Sequence, residues 1–235
     1  MANNYTYGTA SYNGVNLRFI KTSPNNILPT YLNPPKSMTQ SGYYGINGGF
    51  FNDKFGIVSI AAVNGKPVGG RNGDGTGGWT NGQYYVNGRP INLYRGTLVW
   101  DLVARKYSVP EVYEIDEIRV SDKSNYWAQG GVSMCLQESE DIFLETVKGQ
   151  RLPEYNSKDL RSALVYNTDL NLWLVISTNS CTVSAFRTAI KNAIGSGTLV
   201  DGIFLDGGSS TSMRCADFYK NGNFLPEMLR LKDNS

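Results

Sequence analysis

A carboxylate followed by a run of small polar residues is the feature of this sequence best suited to chemistry. Asp206 ends an apolar stretch and precedes the turn 207–211, which reads Gly-Gly-Ser-Ser-Thr. Glycines let the backbone come close to a ligand, and successive N–H groups in such a turn can bind an anion. A tight turn between two strands is the structural alternative. The segment matches neither the Walker A motif nor the GxSxG motif, which disfavours a P-loop and a nucleophile elbow.

Two other stretches place polar residues next to predicted strand ends. Asn47 precedes Gly48, Gly49 and two phenylalanines, and Arg161 precedes an apolar run. Each has a structural explanation when taken alone. Asn-Gly-Gly favours a turn, phenylalanines fill a core, and an arginine at a strand start is usually solvated or paired with a surface carboxylate. These residues point to a site only in combination with Asp206.

The composition excludes several mechanisms. The 235 residues include no histidine, which excludes Ser-His-Asp and Cys-His machinery and HExxH metal sites. The three cysteines, Cys135, Cys181 and Cys215, have no CxxC spacing, so a zinc ribbon is excluded and buried thiols are expected. The net charge of +2, from 22 basic and 20 acidic side chains, gives no extended basic face, so we expect no nucleic-acid partner.

The distribution of apolar residues bears on location. No stretch reaches the roughly 18 consecutive apolar residues that a membrane span needs, and the N-terminal residues lack the basic and apolar regions of a signal peptide. We therefore expect no membrane partner and a cytoplasmic location, with a virion or a cell surface as the alternatives.

The elements that must position these residues are mostly strands. Apolar and polar residues alternate with a period of two in four predicted strands, at residues 15–20, 57–63, 83–86 and 97–103. The pairs Asn64-Gly65 and Asn87-Gly88 are typical of type I′ turns and predict two antiparallel hairpins. Two apolar runs joined by a polar turn, residues 162–166 and 172–177, predict a third hairpin in the core.

One stretch predicts a helix. Residues 182–194 have an apolar face, Thr182 as a candidate N-cap and Gly195 as a stop signal. A short apolar strand over residues 200–206 follows, and the glycine-rich stretch 69–80 is interpreted as a loop. The predicted fold class is α+β: a β-rich single domain, 1–235, with antiparallel or mixed sheets and one principal helix packed on them.

Taken in chain order, the motifs resemble those of one family. The order NGGFF, then Arg-Ser-Ala before an apolar strand, then a helix, then LDGGSST is similar to that of the phosphodiester glycosidase family, the N-acetylglucosamine-1-phosphodiester α-N-acetylglucosaminidase-like domains with bacterial and phage members. The resemblance extends from about the first strand to Met213. Two positions depart from the family pattern: Ser162 stands where Thr is frequent, and Ser209 stands where a third Gly is common.

The resemblance implies a hydrolase that cleaves the bond between a sugar anomeric carbon and a phosphodiester. It implies that Asp206 is the catalytic carboxylate, that Arg161 and the turn 207–211 clamp the phosphate, and that Asn47 belongs to the same catalytic set. The implied substrate-binding residues are Gly48, Gly207, Gly208, Ser209, Ser210 and Thr211. No cofactor is expected to be required. A histidine acid is dispensable, because a phosphate leaving group departs with little protonation. A divalent cation could bridge Asp206 and phosphate, although the sequence has no dedicated ligand spacing.

Several alternatives stay open. The expected partner is a small sugar phosphodiester or a nucleotide-like ligand, and a binding module that sequesters such a ligand or a phage or cell-surface structural component is the rival interpretation. Asp201 and Asp74 are candidates for a second acid, with a solvated strand start and an exposed turn as their favoured interpretations. Five aromatic side chains could stack on a ligand but are expected first in core or surface: Trp79, Tyr84, Tyr85, Tyr126 and Trp127.

Overall fold

The computed structural model describes residues 4–232 and consists mainly of strands in three sheets and one separate hairpin. The predicted domain therefore includes residues 1–3 and 233–235, which lie outside the described part. The strands are β1 Tyr5–Tyr12, β2 Val15–Thr22, β3 Ile27–Lys36, β4 Gly45–Asn47, β5 Ala61–Val63, β6 Lys66–Pro67, β7 Gln83–Val86, β8 Arg89–Asn92, β9 Arg95–Asp101, β10 Lys106–Ser108, β11 Glu111–Val112, β12 Tyr126–Gly130, β13 Val132–Ser133, β14 Ser162–Asn167, β15 Leu172–Ser177, β16 Leu199–Phe204, β17 Met213–Arg214, β18 Tyr219–Lys220 and β19 Leu225–Leu231. The α-helices are α1 Glu140–Gly149 and α2 Val183–Ala193.

The first sheet has the strand order β1-β2-β15-β14-β16-β13, with every neighbouring pair antiparallel. The predicted hairpin of two apolar runs is β14 and β15, in which Leu164 lies opposite Leu174. Both strands are fully buried because they occupy the middle of the sheet. β16 lies beside β14 and ends two residues before Asp206.

The two faces of the first sheet are covered by different layers. Alternate residues of β14 divide between them: Ala163 and Val165 pack in the apolar cluster with α1 and α2, and Leu164 packs in the cluster with the other two sheets. Phe143 of α1 and Phe186 of α2 are completely buried on the helical side. Helices on one face of antiparallel sheets make this a β-rich α+β arrangement, in agreement with the predicted class.

The other two sheets are also antiparallel. The second sheet has the order β18-β17-β4-β19-β3, and the third has the order β10-β9-β12-β5-β6 with β11 also paired to β9. Both Asn-Gly pairs form the predicted hairpin turns. Their φ angles are 52° and 74° at Asn64 and Gly65, and 49° and 75° at Asn87 and Gly88, as a type I′ turn requires.

Two helices pack on the first sheet, whereas the sequence predicted one principal helix. The additional helix, α1, begins after Ser139, whose side chain accepts a hydrogen bond from the Ile142 N–H, and it buries Phe143 and Val147 one turn apart. Its short length and mixed apolar pattern concealed it in the sequence. Neither α-helix in residues 4–232 is long and apolar enough to cross a membrane.

The predicted strand 57–63 is shorter in the structure. Only Ala61–Val63 pairs as β5, and Ile57 forms an isolated bridge with Phe51. The Ile60 N–H donates to Oδ1 of Asn81 instead of to a neighbouring strand. The polar side chain of Asn81 therefore replaces a ladder partner at Ile60, and the strand begins only at Ala61.

Candidate active site

Asp206 lies between two adjoining chambers at the end of β16. The smaller chamber, about 340 Å³, is lined by Glu154, Asp159, Arg161, residues 206–210 and Asn223. The larger chamber, about 800 Å³, is lined by Asp74, Trp79, Tyr85, Arg95, Tyr113 and Asp206. Phe50, Phe51 and Pro153 also border both chambers. A ligand that extends from one chamber into the other would pass the Asp206 carboxylate.

The environment of Asp206 raises the pKa of its carboxyl above the ordinary value. Burial raises the pKa of this carboxyl to about 6. Hydrogen bonding from Ser210 and from the Gly207 N–H, at 3.1 Å, opposes the shift, as does the positive charge of Arg95. The nearby charge of Asp159 adds to the shift. Asp206 can therefore accept or release a proton in the mildly acidic to neutral range.

The sequence predicted that the N–H groups of the turn 207–211 bind an anion. Most of them instead donate hydrogen bonds to acceptors in the protein. The Gly207 N–H donates to Asp206, and the Gly208 N–H donates to the Leu160 carbonyl at 2.8 Å. The N–H groups of Ser210 and Thr211 donate to carbonyls inside the turn at 3.1 Å. Four of the five donors are thus already used, so the turn is not an open anion nest.

The side chains of the turn divide between the chamber and the core. Ser209 and Ser210 line the smaller chamber, whereas Thr211 is completely buried behind it. Gly208 has a φ of 56°, and a Cβ at this position would lie 2.8 Å from Oδ2 of Asp159. Glycine is therefore required here by both backbone conformation and space.

Arg161 lines the smaller chamber, but its guanidinium is occupied by backbone carbonyls. The side chain is 3% exposed. Its Nη2 donates to the carbonyls of Glu154 and Ser157 at 2.7 and 2.8 Å, and Nη1 and Nε make longer bonds to Pro153 and Cys181. Four of its five N–H groups are used in this way. This arrangement differs from the predicted phosphate clamp and makes Arg161 a positioning residue for loop 153–157.

Asn47 is likewise a positioning residue, because it lies completely buried behind the chambers. Its Nδ2 donates to the Asp206 carbonyl at 2.8 Å, and its Oδ1 accepts from the Ser162 hydroxyl at 2.9 Å and the Ser212 N–H at 3.2 Å. Ser162, one of the two departures from the family pattern, therefore supplies a hydroxyl that orients the Asn47 amide. The three predicted clusters meet in one place, as a shared site requires.

A buried acid that the sequence did not indicate supports the Asn-Gly-Gly turn. Glu227 of β19 is 2% exposed, and its Oε2 accepts from the Gly49 N–H at 2.9 Å. Burial raises the pKa of this carboxyl to about 7. A Cβ at Gly48 would overlap the Glu227 carboxylate, which explains the glycine. Gly48 therefore belongs to the support of the site and does not line a chamber.

Two further charged residues at the chambers were not predicted from the sequence. Asp159 precedes Arg161 by two residues and faces the smaller chamber, and Arg95 begins β9 at the larger chamber. A charged residue close to a predicted strand start was the only signal for either. Their proximity to Asp206 depends on long-range packing.

The structure places the remaining candidates for a second acid and for ligand stacking at different positions. Asp74 is exposed at the rim of the larger chamber, where its Oδ1 accepts from the N–H and hydroxyl of Thr76, and Asp201 is half-buried with its Oδ1 on the Leu136 N–H. Trp79 and Tyr85 line the larger chamber, whereas Tyr84, Tyr126 and Trp127 line neither chamber. The cysteines Cys135, Cys181 and Cys215 are free thiols. Residues 4–232 contain no group of three or more acidic or thiol side chains placed to hold a metal ion.

Known structures share this fold. No family model and no curated protein sequence matches the chain. The catalytic domain of zebrafish N-acetylglucosamine-1-phosphodiester α-N-acetylglucosaminidase, auto-inhibited by its pro-peptide, aligns with a TM-score of 0.61 at 11% identity, over 98% of this chain and 83% of that one. A Burkholderia pseudomallei K96243 protein assigned as exported aligns with a TM-score of 0.59 at 10% identity, over 92% and 74% of the two chains. The chain therefore shares its fold with a phosphodiester glycosidase catalytic domain.

Proposed function

We propose that this chain is a hydrolase that cleaves the bond between a sugar anomeric carbon and a phosphodiester, with Asp206 as the catalytic carboxylate. The observation that carries the proposal is the position of Asp206 between two chambers, with a pKa raised to about 6. A substrate with its sugar in one chamber and its phosphate in the other would place the scissile bond beside this group. The fold shared with a glycosidase catalytic domain supports the same chemistry.

The proposed reaction balances with one water molecule. Water attacks the anomeric carbon, the bond from that carbon to the phosphate oxygen breaks, and its electrons leave with the phosphate monoester. Asp206 accepts the proton that the water loses. Because the phosphate departs with little protonation, the reaction suits a chain without histidine.

The residues around Asp206 hold its carboxylate and the walls of the chambers in place. Asn47 fixes the Asp206 carbonyl, Gly207 and Ser210 hold its carboxylate, and Arg161 fixes the loop that borders both chambers. A rigid carboxylate is needed because small displacements of a catalytic group reduce the rate strongly. Ser209 presents its hydroxyl to the ligand in the smaller chamber.

The function is tested by incubating the protein with sugar phosphodiesters and nucleotide sugars and measuring free sugar, with and without a chelator. We expect release of sugar that the chelator does not abolish. Asp206→Asn should reduce kcat by at least about 100-fold without lowering the melting temperature, because the amide keeps the shape but loses the basicity. Asp201→Asn is the matched control, since this aspartate of β16 lines neither chamber.

The same assay separates the enzyme from a binding module. A well-folded Asp206→Asn variant with near-normal turnover would assign catalysis to another group. Tight binding of a sugar phosphodiester without release of sugar would show that the chain sequesters its ligand instead.

A further inference from the structure

The larger chamber contains a buried cation with unused donors. Arg95 is 6% exposed and lines this chamber together with Asp206. Its Nε donates to the Gln150 carbonyl at 2.9 Å, its Nη2 to the Arg151 carbonyl at 3.0 Å, and its Nη1 to the Asn81 carbonyl at 3.5 Å. A guanidinium has five N–H groups. Two of them therefore have no acceptor in residues 4–232.

No carboxylate in residues 4–232 lies within ion-pair distance of Arg95. The ion pairs within 4.0 Å in the described residues join Arg71 to Asp116 and Arg187 to Glu140. Burial lowers the pKa of Arg95 to about 10, and the charge of Asp206 opposes this shift from beyond ion-pair distance. Arg95 is thus cationic at neutral pH. A buried cation without a paired anion is unfavourable, so binding of an anion in this chamber would stabilise it.

The smaller chamber is lined by three carboxyl groups, whereas the larger chamber is lined by two, Asp206 and the exposed Asp74. The smaller chamber is lined by the carboxyl groups of Glu154, Asp159 and Asp206 and by a single cation, Arg161. Glu154 and Asp159 already stabilise the charge of Arg161, and its guanidinium is bonded to carbonyls. An anion placed here would meet more negative than positive charge. Sugar hydroxyls, by contrast, are donors that carboxylates accept well.

We propose that Arg95 binds the phosphate of the substrate in the larger chamber, and that the smaller chamber binds the sugar. The identity of the ligand as a phosphodiester rests on the proposed function, whereas the anion site itself does not. This orientation keeps the scissile bond at Asp206. It moves the phosphate away from Arg161 and the turn 207–211, where the sequence placed it.

The aromatic side chains of the larger chamber indicate which alcohol group is esterified to the phosphate of the substrate. Trp79, Tyr85 and Tyr113 line the larger chamber, and Tyr85 is 69% exposed. The indole Nε1–H of Trp79 is buried without a hydrogen-bond partner in the described residues. Aromatic side chains with polar tips suit a flat, polar ring. The alcohol part of the diester is therefore assigned as a ring-bearing group. Asp74, which lines this chamber in addition to Arg95 and Asp206, is exposed at the rim.

The test measures binding of inorganic phosphate by titration calorimetry at constant ionic strength, and locates the ion in crystals of the wild-type protein soaked in phosphate. We expect one phosphate at Arg95. Arg95→Gln should weaken binding by about 10- to 100-fold, the range of a lost charge-assisted hydrogen bond. Arg187→Gln is the matched control for the loss of a buried guanidinium, because Arg187 is similarly buried, has a carboxylate partner and lines neither chamber.

Two outcomes would overturn the assignment: phosphate density against Ser209 and Arg161 in the smaller chamber, or wild-type affinity in a folded Arg95→Gln variant. If Arg95→Gln does not fold, the soaked wild-type crystal decides alone. Different results would contradict the anion site and the proposed function. The catalytically impaired Asp206→Asn variant should still bind phosphate, and phosphate at Arg95 in a protein that releases no sugar would contradict only the function. Turnover without phosphate at Arg95 would contradict only the orientation.

Discussion

Three buried arginines hold backbone segments of this protein in place. Arg95, Arg161 and Arg187 are each at most 6% exposed, and each donates to backbone carbonyls of other segments: Arg95 and Arg187 to distant ones and Arg161 to the preceding loop. A planar guanidinium reaches several carbonyls at once, whereas an ammonium concentrates its donors at one point. Replacement of such an arginine by lysine therefore disturbs structure as well as charge.

Arg161→Lys should lower the stability of the protein by about 1.5–3 kcal/mol, because a single ammonium cannot replace bonds to four carbonyls. kcat/KM should fall with it, since loop 153–157 borders both chambers. The variant is compared with the wild type by thermal melting and by the sugar-release assay. Arg71→Lys is the control, because the ion pair of Arg71 is exposed and should contribute less than about 1 kcal/mol. An equally stable and active Arg161→Lys variant would contradict the positioning role.

At the scale of elements, the turn after β16 determines where the Asp206 carboxylate points. The turn closes on itself through the N–H groups of Ser210 and Thr211 and is tied to Leu160 through the Gly208 N–H. Gly208 has a positive φ next to the Asp159 carboxylate. The turn therefore places Asp206 and Asp159 relative to one another.

Gly208→Ala should destabilise the protein by about 1–3 kcal/mol, the cost of a strained backbone for a residue with a side chain. It should also reduce kcat, because the new methyl group displaces Asp159. Thermal melting and kinetics of the variant are compared with those of Gly149→Ala. Gly149 ends α1 with no positive φ and with open space around its Cα, so its replacement should be neutral or slightly stabilising. Equal effects of the two substitutions would argue against a specific role of the turn.

The elements differ in how far the sequence could predict them. Asn-Gly turns and apolar alternation are local signals, so the hairpins and the strand leading to Asp206 were predictable. The strand predicted over residues 57–63 began too early, because Asn81, whose side chain replaces a strand partner at Ile60, lies 21 residues away in sequence. Arg95 reaches the site through carbonyls about 55 residues away, and Glu227 reaches Gly49 across 178 residues. No local pattern encodes such contacts.

At the scale of the whole molecule, two raised carboxyl pKa values link folding to pH. The pKa of Asp206 is raised to about 6 and that of Glu227 to about 7, both by burial. A raised carboxyl pKa means that the folded state binds the proton more tightly than the unfolded state. This contribution to stability is fully present below the unfolded pKa values of 3.8 and 4.5, and is lost as the pH rises through about 6 and about 7.

Glu227→Gln should therefore stabilise the protein above neutral pH, by an amount on the order of 3 kcal/mol, and change little near pH 5. Its amide could accept from the Gly49 N–H and donate to Oε1 of Gln129, a buried acceptor without a partner in the described residues. Melting temperatures of both proteins are measured across this pH range. Parallel profiles for the wild type and the variant would show that Glu227 is not the group that loses its proton.

The hydrogen bonds of Asn47 make the site and the fold a single cooperative unit. Asn47 lies on β4 of the second sheet. Its side chain nevertheless bonds to Ser162 on β14 and to the Asp206 carbonyl just after β16, and β14 and β16 belong to the first sheet. If the two sheets separate, Asp206 loses its anchor at the same moment. Loss of activity in denaturant should therefore coincide with global unfolding, and the amide proton of Ser212, which donates to Asn47, should exchange with solvent only through complete unfolding.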